Sequence, residues 1–326
     1  MQPFELGLKL AKFSCIGITL FAAAGCASAY VTPQAALATR AARPVSSTMR
    51  GWLSPRAKSG KGLVYVSDNF GNAVYIFDKT NLAQGPIGEI TNAIEAPNGL
   101  AVDRRGALYV ANSNNTVEVY PRGSTQASVT YTDGISFPFG LVVSSNTGRL
   151  YVANFNANDV TEYAKDSTTP DTTISFVSLE GNDPYGTSLD RKDDLYVSAL
   201  GYPTARAYEI SVGSNTPKDL GISGIDVMYG IAVDAKVDVI VVDQGAKAIY
   251  VYPPGSDTPS KTITEGLIQP ILIAFDKRDQ HLYVADAGSD GHDGGLWVYS
   301  YPRCKLLTQI HLPGFTVPEG VAVSPL

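Results

Sequence analysis

Six turns of the form Pro-x-Gly, or close variants of it, place Asn98, Phe139, Tyr185, Tyr229, Ile271 and Glu319 at equivalent positions in the chain. The fourth of these follows Met228 rather than Pro, and the fifth precedes Leu272 rather than Gly. Glu319 and Asn98 are oxygen donors of the kind that calcium takes. Calcium needs 6–8 oxygens, several of them from protein, and two side chains fall short. Three aromatics and an isoleucine facing a glutamate and an asparagine instead have the composition of a small-molecule or peptide site. The same rings could equally plug the space between the turns.

Other chemistry-bearing groups are sparse. General acid–base work usually calls on histidine or a perturbed carboxylate, and the chain has three histidines, His281, His292 and His311, none in a Pro-x-Gly turn. There is no Gly-x-Ser-x-Gly elbow, P-loop or Cys-x-x-Cys pair. The stretch from Asp286 to Gly295 brings Asp286, Asp290 and Asp293 together in a long loop, which reads as a surface loop, a metal clip or a lid. It is not an EF-hand, because the twelfth position holds Trp297 rather than a bidentate glutamate. No catalytic constellation emerges.

The elements that must position these residues are repeats. Val64-Tyr65-Val66 recurs as Leu108-Tyr109-Val110, Leu150-Tyr151-Val152, Leu195-Tyr196-Val197, Val239-Ile240-Val241 and Leu282-Tyr283-Val284, with central positions 44, 42, 45, 44 and 43 residues apart. Such a period predicts a propeller or solenoid. Each unit reads as four short strands: one opened by Pro-x-Gly, the Leu-Tyr-Val strand, a third such as Val74-Tyr75-Ile76, and a weaker fourth such as Lys261 to Thr264. Four strands over about 44 residues describe a propeller blade. No helical period appears after residue 60. The first unit lacks its Pro-x-Gly strand, and the chain ends with Pro318-Glu319-Gly320-Val321-Ala322-Val323-Ser324, which supplies it. The sequence therefore predicts an all-β, six-bladed propeller over 59–326, closed by strand 320–324 joining the N-terminal blade.

The run Gly-Leu-Ala-Val-Asp-Arg-Arg-Gly-Ala-Leu-Tyr-Val-Ala-Asn, 99–112, resembles an NHL or YVTN-type repeat. Relatives of that type include six-bladed propellers of the gluconolactonase-like and virginiamycin B lyase-like groups. In the former, Glu, Asn and Asp at the channel mouth hold a calcium ion that polarises a lactone carbonyl. The resemblance thus implies a metal site at Glu319 and Asn98, but Phe139, Tyr185 and Tyr229 stand where further ligands belong. The lyase type would require a histidine at the mouth, and no turn supplies one.

In such blades the Pro-x-Gly turns and the ends of the second strands share one face, here the top. Asp68, Asn112, Asn154, Asp243 and Asp286 end the second strands, as turn caps or as polar contacts for a ligand. The bottom turns carry Arg104, Arg105, Arg149, Arg191, Lys192, Lys236, Lys277 and Arg278, a basic face that is solvated or orients the domain on an anionic surface.

At the N-terminus, Lys9 and Lys12 precede the 13 apolar residues Phe13 to Gly25, too few to span a bilayer but the length of a signal-peptide core. Two cleavage readings compete. Ala27-Ser28-Ala29 would release a soluble protein, whereas Ala23-Ala24-Gly25-Cys26 resembles a lipobox in which Cys26 is acylated, with Ala27 matching the outer-membrane-destined form. Residues 1–29 are the expected signal peptide and 30–58 a flexible tether, with Arg40, Arg43, Arg50 and Arg56 near lipid or solvent. Cys15 would leave with the signal and Cys26 would carry lipid, so Cys304 has no disulfide partner and reads as a small buried hydrophobe. A net charge of −6 argues against nucleic acid as a partner.

Together these residues predict an exported bacterial propeller, periplasmic or anchored to the outer membrane through a lipid on Cys26. It would act as a monomeric scaffold that binds a small molecule or protein at Asn98, Phe139, Tyr185, Tyr229 and Glu319 without a cofactor. Calcium-dependent lactonase or lyase chemistry is the alternative reading, and a structural role in an envelope assembly is a third.

Overall fold

The computed structural model describes residues 51–326 apart from 181, 202, 203, 315 and 326. The predicted signal peptide, Cys26 and the tether up to residue 50 lie outside the described residues.

Six antiparallel sheets make up the ring, each ordered from an innermost first strand to an outer fourth. Blade 2 is the pattern: Pro97–Val102, Leu108–Asn112, Thr116–Tyr120 and Val129–Tyr131. The Leu-Tyr-Val strands sit second in every blade. Those of blades 1, 3 and 5 are buried along their whole length, because blades pack face to face and cover both sides. Apolar side chains on alternate faces meet the neighbouring blade. Leu63, Tyr65 and Ile76 of blade 1 pack with Leu108, Val110 and Tyr120 of blade 2, and Ile240, Val242 and Ile249 of blade 5 with Leu282, Val284 and Trp297 of blade 6.

Closure follows the predicted route. Pro318–Val323 pairs antiparallel with Leu63–Asp68, with Val64 opposite Val323 and Val66 opposite Val321. The N-terminal blade is therefore completed by the C-terminal strand, and Leu63–Asp68 is not left as a bare edge. Asn72, Asn115 and Asn158 end the turns between second and third strands at φ 53°, 65° and 56°, a left-handed conformation that asparagine tolerates. The Asn72 and Asn115 side chains accept the Ala96 and Phe137 N–H groups of the following blade, both at 2.7 Å.

The end of the expected tether is structured. Trp52–Leu53 adds a fifth strand to blade 1, beside Gly88–Ile90, and Pro55–Lys58 forms a helical turn capped by the Ser54 side chain. Arg56, expected near lipid or solvent, instead makes two bonds to Asp78, at 2.6 and 3.0 Å. Leu53 and Ala57 pack on the core between blades 1 and 2. A segment this short shows no period in the sequence, so its docking was not legible there. Cys304 is half-buried with a free thiol, its pKa raised by burial.

Candidate functional site

The Pro-x-Gly strands converge because glycine lets them. A Cβ on Gly99, Gly140 or Gly320 would collide with the carbonyl of Phe139, Tyr185 or Asn98, respectively, in the neighbouring blade; on Gly186 and Gly230 it would lie 2.8 and 2.7 Å from the Tyr229 and Ile271 carbonyls. The pairing register shifts after the proline position in each blade, between Pro97 and Leu100 for example. Ser67 and Ser198 hold two of the junctions. Each hydroxyl accepts a glycine N–H in its own blade and donates to the carbonyl of the next: Ser67 to Asn98 at 2.6 Å, and Ser198 to Tyr229.

The five predicted binding residues come together at the channel mouth and are buried there. Phe139 and Tyr185 stack with ring centres 4.0 Å apart, and Tyr229 follows at 4.4 Å. From the opposite side of the ring, the Glu319 carboxyl faces the Tyr185 hydroxyl. Burial pushes the Glu319 carboxyl up to about 8, against the smaller opposing effect of that hydroxyl. The Tyr185 hydroxyl is itself pushed well above its ordinary value, by burial first and the nearby carboxylate second. Asn98 is woven into three blades: Nδ2 donates to the Pro138 carbonyl at 2.7 Å and to Ser113 at 3.3 Å, and Oδ1 accepts from Asn69 at 2.9 Å.

This donor set does not fit calcium. The Asn98 oxygen already has a donor, the Glu319 carboxyl faces a tyrosine hydroxyl, and stacked rings fill the side where further oxygens would be needed. Among the described residues, no three His, Cys, Asp or Glu side chains gather as a metal cluster. In the long loop, Asp293 accepts from the Ser289 N–H and hydroxyl, both at 2.6 Å, and Asp290 from the His292 N–H at 2.8 Å. Those acids fold the loop against its own backbone.

Two residues of the mouth escaped the sequence analysis. Phe137 and Phe155, both half-buried, lie edge-on to Phe139 at 5.3 and 5.5 Å. Phe155 also meets Tyr185 at 6.3 Å. They extend the aromatic cluster outward over blades 3 and 4. Aligning the residue before each Pro, and the residue after each second strand, would have found them.

The residues ending the second strands are caps. Asp243 takes the Asp226 and Val227 N–H groups on its two oxygens, and Asp286 likewise takes Ile268 and Gln269. Asn112 and Asn154 accept Glu95 and Ser136. Asp68 is the exception. Its Oδ1 holds Val317 and Gly71, but the Thr316 N–H that would match Asp226 or Ile268 goes to the Gly291 carbonyl of the long loop at 2.7 Å. Among the described residues Asp68 Oδ2 is buried without a hydrogen-bond partner, and burial pushes the carboxyl up to about 6.

The turns between first and second strands are less basic than predicted. Asp103, Asp190, Asp234 and Asp276 cap their own turns, and Asp193, Asp194, Asp238 and Asp279 stand beside them. Taken together, these turns hold as many carboxylates as predicted bases. Arg149 is paired with Glu162 at 2.5 Å and Asp171 at 3.0 Å. A small cavity lies away from the mouth, between blades 1 and 2 beside Leu53, Tyr65 and Tyr120; its volume of about 10 Å³ has room for one water.

No protein-family model matches the chain, and no curated protein matches it in sequence. Among solved structures it is similar to a chain of a nidogen/laminin complex, with a TM-score of 0.66 at 14% sequence identity, over 80% of this chain and 97% of that one. That likeness, together with the six four-stranded blades, makes the fold a six-bladed β-propeller.

Proposed function

We propose that the propeller is a binding scaffold that captures a partner on its top face, exported and held at a bacterial envelope through a lipid on Cys26. The observation that carries this reading is the aromatic cluster packed at the channel mouth. Phe139, Tyr185 and Tyr229 are packed against one another, while Phe137 and Phe155 remain half-exposed above them. Half-buried aromatics on a rigid rim are what interface anchors look like. A substrate pocket would instead be concave and open. The structural neighbour was itself solved in a complex between two proteins. The NHL-type character of the repeats belongs to the same reading, since such blades offer a rigid rim with variable loops.

A photo-crosslinking residue at position 155, compared with one at Lys192 on the bottom, tests this in cells expressing the full chain. A discrete protein adduct is expected from position 155 alone. Equal adducts from both positions, or none from 155, would overturn the top-face site. Cys26→Ser tests the anchor, because it should abolish incorporation of labelled fatty acid. A structural module in an envelope assembly is the second reading, favoured by the same closely packed mouth; it predicts adducts with one constant neighbour and no small ligand.

A further inference from the structure

Exposed charge is unevenly divided between the two ends of the ring. The loops leading into the first strands of blades 2 to 6 carry Glu95, Asp133, Glu180, Asp226 and Glu265 in turn, and the long loop beside the first strand of blade 1 carries Asp290. All six are exposed. The top face thus has one exposed carboxylate per blade. Two lysines or arginines stand at that end among the described residues. Arg206 is held by Glu180 at 2.6 Å and Asp219 at 3.4 Å, an ion pair that engages the carboxylate of blade 4, so five ring carboxylates face Lys247 as the remaining base. At the other end, the turns between first and second strands balance acid with base, and the turns that follow the third strands set Lys79, Arg122, Lys165 and Arg303 against Asp78, Asp166 and Asp257.

A ring of like charges produces a summed field that attracts the opposite sign and repels its own. It surrounds the half-buried rings of Phe137 and Phe155, which are apolar and face outward. Anchoring energy at an interface comes from such buried aromatics, while charge complementarity supplies association rate and partner choice. We propose that the top face binds a positively charged protein segment, with its basic side chains over the carboxylate ring and an apolar side chain against Phe137 and Phe155. The proposal rests on the top-face reading above and names the chemistry of its partner.

The test uses labelled synthetic peptides: a lysine-rich peptide bearing one phenylalanine, and its glutamate counterpart. Fluorescence anisotropy is read with the wild-type chain and with three variants, each checked for an unchanged melting transition. These are Glu95→Gln/Asp133→Asn/Asp226→Asn, Phe137→Ser/Phe155→Ser, and Asp257→Asn as a bottom-face control. The lysine peptide should bind, and more weakly as salt rises; the glutamate peptide should not. Neutralising the three carboxylates should weaken binding about tenfold, the cost of losing about 1.4 kcal/mol, and Asp257→Asn should change nothing. If only the phenylalanine variant loses binding, or the glutamate peptide binds as well, the cationic partner is wrong and the top-face site stands. If no peptide binds, or neither top-face variant loses binding, both readings fall.

Discussion

The Glu319 carboxyl of blade 1 faces the Tyr185 hydroxyl of blade 4 across the ring. Most contacts in a propeller run between neighbours, whereas this pair brings two opposite blades together at the mouth, where both side chains are buried.

That burial has a pH signature. Glu319 titrates at about 8 in the folded ring against an ordinary 4.5, so the folded state keeps a proton that the unfolded chain loses. The stability this contributes is complete below pH 4.5 and is lost as pH rises to 8, by up to about 1.4 kcal/mol per pH unit. Asp68, raised to about 6, adds a loss of the same sign that ends near pH 6. Urea unfolding between pH 6 and 9 should show wild-type stability falling and then levelling, and Glu319→Gln should remove most of that fall. An equal slope in the variant would mean that the carboxyl is solvated.

Tyr185→Phe separates the hydroxyl from the stack. The ring stays against Phe139, but Glu319 loses the neighbouring hydroxyl that lowers its pKa. The inflection should move to higher pH than in wild type. Above it, stability should drop by about 1 kcal/mol, because the buried carboxylate loses the neighbouring hydroxyl that favours its charged form. An unmoved inflection would show that Tyr185 contributes only its ring.

The fold was legible because repetition averages out local ambiguity. Six copies of one hydrophobic strand at a near-constant spacing outweigh any single propensity, and the missing first strand of the Tyr65 unit pointed to Glu319 and its neighbours. The mouth residues were legible for the same reason: Asn98, Tyr185 and Glu319 occupy one repeated position. What they do there was not. A repeat position says which way a side chain points, but not that Asn98 would be fully bonded to Asn69, Ser113 and Pro138. Nor does it show that Thr316 would turn away from Asp68. Such choices depend on loops that differ between blades, and the docking of Arg56 on Asp78 depends on a contact made once.

Asp68→Asn should stabilise the ring at alkaline pH. Blades 2 and 3 use asparagine here, with Nδ2 donating to the carbonyls of Ala93 and Gly134 at 3.1 and 3.0 Å. Gly314 holds the corresponding place before the closing strand, at φ 89°. An amide would remove a buried charge and give the orphaned position a donor, a gain of about 1 kcal/mol at pH 8. It would also abolish the part of the pH dependence that ends near pH 6. Destabilisation at pH 8 would show that Asp68 Oδ2 has a partner in solution.

Gly140→Ala tests the close approach that shapes the mouth. A Cβ there would lie 2.8 Å from the Thr187 N and 2.9 Å from Gly186 Cα, both backbone atoms that cannot swing aside. Blades 3 and 4 would have to separate, which costs on the order of 3 kcal/mol, the upper part of the range for an overfilled core. Gly85→Ala is the comparison. Its φ of 80° is strained for alanine, yet a Cβ there meets nothing within 4 Å, so about 1–2 kcal/mol is expected from backbone conformation alone. Each kcal/mol lowers the melting temperature of a domain this size by about 2–4 °C. Gly140→Ala should therefore melt well below Gly85→Ala, and its near-ultraviolet tyrosine signal should change as Tyr185 shifts against Phe139. Equal melting temperatures with an unchanged tyrosine signal would mean that the blades do not approach as closely as their glycines allow.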